Sequence, residues 1–156
     1  MRETMIEFFV PGIPKPGGSK RAVPNWKTGK VNVFDDCNGN LAWRNDVQSQ
    51  YIRNGRKNFG KSVIVLGLYF FFQRPKGHFG TGRNSSSLRK GAPVYHLQKP
   101  DITKLVRAVE DALTGVAWTD DCQVFKQMAQ KSWCDDDHRI PGVFIKIHGF
   151  IDDDAD

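Results

Sequence analysis

A continuous apolar run, SVIVLGLYFFFQ at residues 62–73, constrains the fold of this chain more than any other feature. The run is rich in β-branched and aromatic residues, and turn-forming residues bound it. Such a run is typical of a central strand that is covered on both faces. The sequence therefore predicts a β-sheet organised around residues 62–73.

The other periodic segments predict a small mixed sheet with two main helices, an α/β (α+β) fold. Strands are expected at residues 4–10, 123–131 and 142–151, and helices at residues 40–57 and 102–114. In the first helix Trp43, Val47 and Tyr51 are spaced for core packing, and Asn38 or Asn40 is a suitable cap. With 156 residues, we expect one domain over residues 1–151. The acidic tail, residues 152–156, is expected to be disordered and solubilising.

Charge is distributed unevenly along the chain. Residues 1–100 carry seventeen Lys and Arg against five Asp and Glu, whereas residues 101–156 carry six against twelve. A strongly basic segment suits a nucleic-acid partner, and the acidic segment suits cation binding or solubility. A basic surface without a partner is the alternative interpretation.

Two basic, glycine-containing segments are candidate DNA contacts. Residues 15–30 read as a loop that either follows a phosphate backbone or serves as a solvated connector. Residues 74–93 are too polar to bury and longer than most connections, which favours a mobile DNA-contacting arm over an inert linker. The candidate DNA-binding residues are Lys15, Lys20, Arg21, Arg74, Lys76, Arg83, Arg89, Lys90 and Lys104.

Cysteine content and hydropathy exclude several classes of protein. Cys37, Cys122 and Cys134 are odd in number and form no C-x-x-C pair, so neither a disulfide framework nor a zinc knuckle is indicated. No apolar run approaches the roughly 20 residues needed to cross a bilayer, and the N-terminus lacks a signal-like segment. We expect a cytoplasmic protein with no membrane association.

Residues 99–124, KPDITKLVRAVEDALTGVAWTDDCQV, place one Asp before a short amphipathic helix and two Asp after it. Carboxylate oxygens suit Mg²⁺ or Mn²⁺. Spacing alone leaves other interpretations open. Asp101 could only cap the helix, Asp111 could only pair with Arg107, and Asp120 with Asp121 could only form a turn.

The order of residues in this segment resembles a family signature. Lys99-Pro100-Asp101, Lys104-Leu105, Asp111-Ala112-Leu113 and Asp120-Asp121 followed by Gln123-Val124 resemble the RusA family of Holliday junction resolvases. The family pattern reads roughly K-P-D-x-D-N-L-x-K-A, D-A-L, D-D-x-Q-V. The resemblance implies a small, dimeric, metal-dependent endonuclease that cuts four-way DNA junctions or other branched DNA with paired nicks.

The resemblance also implies roles for individual residues. Asp101 and Asp121 fall on catalytic Asp positions, and Arg107 takes the place of the family's catalytic Lys. The implied metal ligands are Asp101 and Asp121, together with Asp120 or Asp111. Thr103 is a departure, because it stands where the family usually has a second Asp and removes a charged ligand for Mg²⁺ or Mn²⁺.

Two other functions remain open from the sequence. One is a junction-binding protein with a degraded metal site, for which Thr103 is the supporting feature. The other is a metal-free DNA-binding or scaffold module in which the acidic residues only cap and pair. A homodimer is expected for the nuclease, because two nicks in strands of like polarity suit two symmetry-related sites.

Overall fold

A computed structural model of the protein describes residues 2–18, 20–35, 39–55 and 58–151. It contains six strands and two α-helices within these residues. They are β1 (Arg2–Pro11), β2 (Lys20–Pro24), β3 (Val31–Asp35), α1 (Asn40–Arg53), β4 (Ile64–Phe72), α2 (Ile102–Leu113), β5 (Val124–Trp133) and β6 (Gly142–Ile151). The predicted α+β class, with a mixed sheet and two main helices, is confirmed. The predicted tail, residues 152–156, lies outside the described residues.

The main sheet has four strands in the order β1-β6-β4-β5. β6 pairs antiparallel with both β1 and β4, whereas β5 pairs parallel with β4. Parallel neighbours require a long crossover connection. That connection contains α2, and this places the acidic residues at both ends of α2 beside the edge strand β5.

The core lies between one face of this sheet and the two helices. Leu66, Leu68 and Phe70 of β4 are fully buried, and Ile145 and Ile147 of β6 lie beside them in register. α1 packs against α2 and β1, and α2 packs against β5. The prediction of a central strand covered on both faces is half right, because the alternate side chains of β4 are only partly buried. Both helices cover the same face of the sheet.

Residues 20–35, within and beyond the segment predicted as a loop, form an antiparallel β-hairpin. β2 and β3 make a separate two-stranded sheet in which Ala22 pairs with Val33 and Pro24 pairs with Val31. The loop prediction was wrong here because the basic residues hide the extended pattern. The apolar residues of the two strands are few and exposed, so they do not mark the strands as clearly as a half-buried face would.

The helix boundaries follow the predicted pattern with local differences. α1 ends at Arg53, short of the predicted 57, and the N-cap position is Gly39 rather than an asparagine. Asn38 lies outside the described residues, and Asn40 is the first helical residue, with its amide donating to the Pro16 carbonyl over 2.8 Å. No helix within the described part of the chain has the length and apolar character to span a membrane.

Candidate active site

One face of α2 is apolar and buried, and the opposite face is polar and presents the candidate site residues to solvent. The apolar face of α2 is buried in the core and consists of Leu105, Val106, Ala108, Val109, Ala112 and Leu113. Arg107 and Asp111 are exposed one turn apart on the polar edge, and Thr103 is exposed a further turn toward the N-terminus. The helix ends before Gly115, whose φ of +82° lies in the left-handed region that glycine adopts readily.

An open cavity of about 900 Å³ lies at the C-terminal end of α2. Its lining brings together three of the four predicted metal ligands and the predicted catalytic Arg107. The described residues that line it are Gly18, Val33, Arg44, Arg107, Asp111, Thr114, Asp120 and Asp121. Carboxylates and guanidinium groups therefore share one solvent-accessible space.

A short turn before β5 presents Asp120 and Asp121 to this cavity. The Asp120 carboxylate accepts a hydrogen bond from the Cys122 amide over 2.9 Å. This bond holds the pKa of the Asp120 carboxyl below its usual range. Asp120 is consequently charged, as a cation ligand must be, although one of its oxygens is already engaged in the turn.

Gln123 fixes the position of the Asp120–Asp121 turn. Its side-chain oxygen accepts from the Thr119 and Asp120 amides over 2.9 and 2.8 Å. Its side-chain nitrogen donates to the carbonyls of Gly60 and Ser62 over 2.9 and 2.7 Å. The glutamine of the Q-V motif therefore acts through positioning, because it ties the acidic turn to the segment that precedes β4.

Glu110 adds a carboxylate that the sequence did not single out. It is partly buried, and burial raises the pKa of its carboxyl, with further increases from the charges of Asp121 and Asp111. The charges of Asp121 and Asp111 therefore act on the partly buried carboxyl of Glu110. The sequence signal was weak, since Glu110 is simply the acidic residue next to Asp111.

Arg44 is a second residue that the sequence analysis missed. It follows the core residue Trp43 on α1 and reaches the same cavity as Arg107. Its Nε atom is buried without a hydrogen-bond partner among the described residues. A buried, unpaired guanidinium N–H is costly unless a ligand satisfies it, and a phosphate oxygen is a suitable acceptor.

Asp101 lies at the opposite end of α2. It occupies the N-cap position, yet its side chain makes no capping hydrogen bond. It lines a separate hollow of about 350 Å³ with Pro16, Lys99, Pro100 and Lys104. Ten residues separate Asp101 from Asp111, which corresponds to about 15 Å along a helix. Asp101 is therefore far from Asp111, and it lines a different hollow from the one that Asp121 lines.

Within the described residues, no three His, Cys, Asp or Glu side chains converge closely enough to hold a metal ion. Thr103 lines neither hollow and is exposed on the ridge between them. The acidic groups thus form two sets at the two ends of α2, with Arg107 in the set near Asp121.

The comparison with protein families decides the class of this chain. Residues 11–148 match the family described as endodeoxyribonuclease RusA. The chain belongs to the RusA endodeoxyribonuclease family. This match covers most of the chain, and it confirms the resemblance drawn from residues 99–124. A search of the curated proteins found no match.

The predicted DNA-binding residues of this RusA-family chain fall into three groups. Lys20 and Arg21 belong to β2, and Lys15 lies in the segment that leads toward it, beside Gly39. Lys104 lines the hollow at Asp101. The exposed candidates in the predicted arm are Lys76, Arg83, Arg89 and Lys90. Of these cations, Lys104 lies on α2 itself, at the hollow that Asp101 lines.

Arg74 differs from the other arm residues because it supports the arm. Its guanidinium donates to the Pro93 carbonyl over 2.7 Å and lies 5.6 Å from the Trp133 ring centroid. His78 and His96 pack on the same Trp133 ring, and burial lowers the pKa of both imidazoles. The two ends of the arm are therefore anchored to β5, and the two histidines pack against its Trp133 ring.

Proposed function

We propose that this chain is a structure-specific endodeoxyribonuclease that resolves Holliday junctions and other branched DNA by paired nicks, with Mg²⁺ or Mn²⁺ as cofactor. One observation carries the proposal: a single cavity holds Asp111, Asp120 and Asp121 together with Arg107 and Arg44 in a chain of a DNA nuclease family. Such an enzyme would act in DNA recombination and repair, in the bacterial or host cytoplasm where its substrate lies.

The donor set of the cavity fits a hard divalent cation. Burial raises the pKa of Glu110 and the charges of Asp121 and Asp111 raise it further, so a cation bound by those two carboxylates would relieve their repulsion of Glu110. Mg²⁺ commonly takes only one or two protein carboxylates, with water and phosphate oxygens completing its coordination. Asp111 and Asp121 are the proposed ligands in the cavity, and Asp120, which already accepts from the Cys122 amide, would orient them from the turn.

The two arginines of the cavity suit the scissile phosphate. When bound, the cation would supply Lewis-acid activation of the phosphodiester bond and of the attacking water. Arg107 would grip phosphate oxygens in bidentate fashion, and Arg44 would donate its unpaired Nε–H. A guanidinium is a poor proton donor, so Arg107 would stabilise charge without acting as the acid that a Lys can be.

The family resemblance and the surroundings of Asp101 both support a catalytic role for this residue. Its exposed carboxylate makes no capping bond and lies beside Lys99 and Lys104 in its hollow. An exposed carboxylate without a capping hydrogen bond remains accessible to a ligand. We therefore keep Asp101 as a catalytic residue that acts at the N-terminal end of α2.

Substrate selectivity tests the proposed activity. The purified protein is incubated with Mg²⁺ and either a labelled four-way junction or a linear duplex that contains one of its arms. We expect paired nicks in the junction and an intact duplex. Equal cleavage of both substrates would replace the proposal with a general nuclease, and cleavage of neither would remove the catalytic assignment.

A second function is favoured by two specific observations. Thr103 lacks the family carboxylate, and the acidic residues at the two ends of α2 do not converge. A non-catalytic protein that binds junctions or branched DNA with a degraded metal site would account for both. In the selectivity experiment it would bind the junction strongly, even with Mg²⁺, without producing nicks.

The effect of Thr103→Asp distinguishes these two functions. Thr103 is exposed one turn before Arg107 on the polar edge of α2. An Asp there restores a charged oxygen ligand, so we expect half-maximal cleavage at an Mg²⁺ concentration lower by about 10-fold, or the rescue of cleavage where the parent shows none. A titration of cleavage against Mg²⁺ measures this effect.

Thr103→Asn is the matched control, because it changes the shape of the side chain without adding charge. If Thr103→Asp instead abolishes activity, the site has been rebuilt around Asp111 and Asp120, and the added charge only crowds it. Identical Mg²⁺ titrations for the parent and Thr103→Asp would show that position 103 does not contribute to cation binding.

Edge strand β5 offers a surface for a second copy of the chain. Phe125 and Met128 on this strand are 77% and 60% exposed. An uncovered edge strand with large apolar side chains is a liability unless another chain pairs with it. Because Asp121 directly precedes β5, a homodimer through this edge would bring two cavities near one symmetry axis, as paired nicking requires.

We expect the protein to be a homodimer in solution, and Phe125→Asp to shift it toward monomer. Burying the added carboxylate between two copies would cost free energy, which favours the separated monomers. Light scattering at micromolar concentration measures the mass, with the exposed Ile140→Asp as the control substitution. A wild-type monomer with full paired-nicking activity at that concentration would contradict the dimer.

A further inference from the structure

Trp26 stands apart from the other tryptophans of the chain. Trp43, Trp118 and Trp133 are 3%, 0% and 6% exposed, whereas Trp26 is 99% exposed. A Trp side chain that stays in water gains none of the free energy that burying its large apolar surface would give. Because Trp26 makes no contribution to the core, its indole ring is available to a ligand.

The turn that carries Trp26 has a defined backbone. The Asn25 amide donates to the Lys30 carbonyl, and the Gly29 amide donates to the Asn25 carbonyl, both over 2.9 Å. The Asn25 side chain also accepts from the Lys27 amide over 2.9 Å. Gly29 has a φ of +67°, which favours glycine at that position. These bonds hold the turn that presents Trp26 at the tip of the β2–β3 hairpin.

One face of this hairpin is apolar and continues into the active-site cavity. The pairs Ala22 with Val33 and Pro24 with Val31 place four apolar side chains on the same face. Val31 and Val33 are 60% and 59% exposed, and Val33 also lines the cavity that contains Asp121. The apolar face therefore runs from the edge of the cavity toward the turn that carries Trp26.

The segment that leads into the hairpin is fixed against α2. The Gly17 amide donates to the Lys104 carbonyl over 2.8 Å, and the Asn40 side chain holds the Pro16 carbonyl. A Cβ atom at Gly17 would lie 3.4 Å from the Ala108 backbone nitrogen, so the two backbones approach closely. The backbone at Gly17, which leads into the hairpin, therefore lies against α2 close to the Arg107 side chain.

The charges around Trp26 indicate nucleic acid as the occupant. Lys27 and Lys30 are exposed in the same turn, and residues 15–34 contain no Asp or Glu. Aromatic side chains set among cations form the stacking platforms that bind unpaired or exposed bases. An apolar protein partner would not require this excess of positive charge.

We propose that Trp26 stacks on a base exposed at the branch point of a DNA junction, and that the β2–β3 hairpin thereby positions the adjacent strand in the cavity. This inference rests on the proposed function and names the part of the substrate that the hairpin recognises. The branch point presents base-pair faces that a continuous duplex keeps stacked. Recognition by Trp26 would therefore favour branched DNA over linear duplex.

Two substitutions at this position and one control test the inference. Binding is measured without divalent cation to a four-way junction that carries 2-aminopurine at the branch point, and to a linear duplex. We expect Trp26→Ala to weaken junction binding by about 5- to 150-fold and to reduce the 2-aminopurine response, with duplex binding unchanged. Trp26→Phe keeps an aromatic ring and should restore most of the affinity. Ile140→Ala is the control, because it also truncates an exposed apolar side chain, which is 60% exposed, and it should bind as wild type does.

The outcomes separate this inference from the function on which it rests. A wild-type protein that binds no branched DNA would overturn both. A wild-type protein that binds and cuts the junction, with Trp26→Ala equal to it in affinity and in 2-aminopurine response, would overturn the role of Trp26 alone. A Trp26→Ala protein of lower mass in light scattering would assign Trp26 to contacts between copies, and would also overturn the role proposed here.

Discussion

Asp121→Asn is expected to reduce junction cleavage by more than about 100-fold, because it removes one of the two cavity carboxylates proposed to hold the cation. Asn preserves the size of the side chain, and Gln123 continues to hold the turn. Junction binding should change little, since the basic surface supplies the affinity. Cleavage rates and electrophoretic shifts of the same labelled junction measure the two effects separately.

A second readout of Asp121→Asn does not depend on activity. The Asp121 charge contributes to the raised pKa of Glu110, so its removal should lower that pKa toward the ordinary value. Carboxyl NMR of the protein without cation would detect the change. Asp137→Asn, in the exposed turn between β5 and β6, is the matched control and should leave both cleavage and the Glu110 pKa as in wild type.

Asp101→Asn is expected to produce a loss of cleavage of similar size, about 100-fold, with junction binding retained. Asn serves as well as Asp at an N-cap position, so the substitution changes charge without a penalty to α2. Thermal unfolding should therefore be unchanged, which separates catalysis from stability. Cleavage assays on Asp101→Asn and Asp121→Asn decide whether both ends of α2 are needed.

The comparison of these two variants has a clear contrary result. If Asp101→Asn cuts like wild type while Asp121→Asn does not, catalysis depends on the cavity alone, and the role of Asp101 implied by the resemblance is withdrawn. Wild-type nicking by both variants would remove the carboxylate site altogether.

The elements with a strong pattern were predictable from the sequence. The predicted residues 142–151 coincide with β6, because its apolar residues alternate and one face lies in the core. α2 differs from its prediction by a single residue at its end, since its apolar stripe and Gly115 mark it clearly. Burial on one face of a helix or strand makes apolar residues recur at a fixed spacing, and that spacing is visible in the sequence.

The elements with little burial were not predictable in the same way. The β2–β3 hairpin leaves Val31 and Val33 exposed and gains its order from backbone pairing, which no residue pattern records. The predicted loop therefore proved to be strand. The cap of α1 was also missed, because Asn40 is buried and bonds to Pro16 rather than to its own helix.

The sequence supplied candidate site residues, but it could not show how the fold groups them. The sequence placed Asp101 and Asp121 together because a short motif contains both, yet the length of α2 intervenes between them. Arg44 reaches the cavity from α1, more than sixty residues before Arg107 in the chain. Only the packing of α1 against α2 reveals that contribution.

The most direct test of the central proposal is a single four-way junction assay with and without divalent cation. The junction is labelled on each strand in turn and incubated with wild-type protein in EDTA, and then with Mg²⁺ or Mn²⁺. We predict a shifted complex without nicks in EDTA, and paired nicks in strands of like polarity once either cation is added. Nicking that is unaffected by EDTA, or a junction that is neither shifted nor cut, would contradict the proposal.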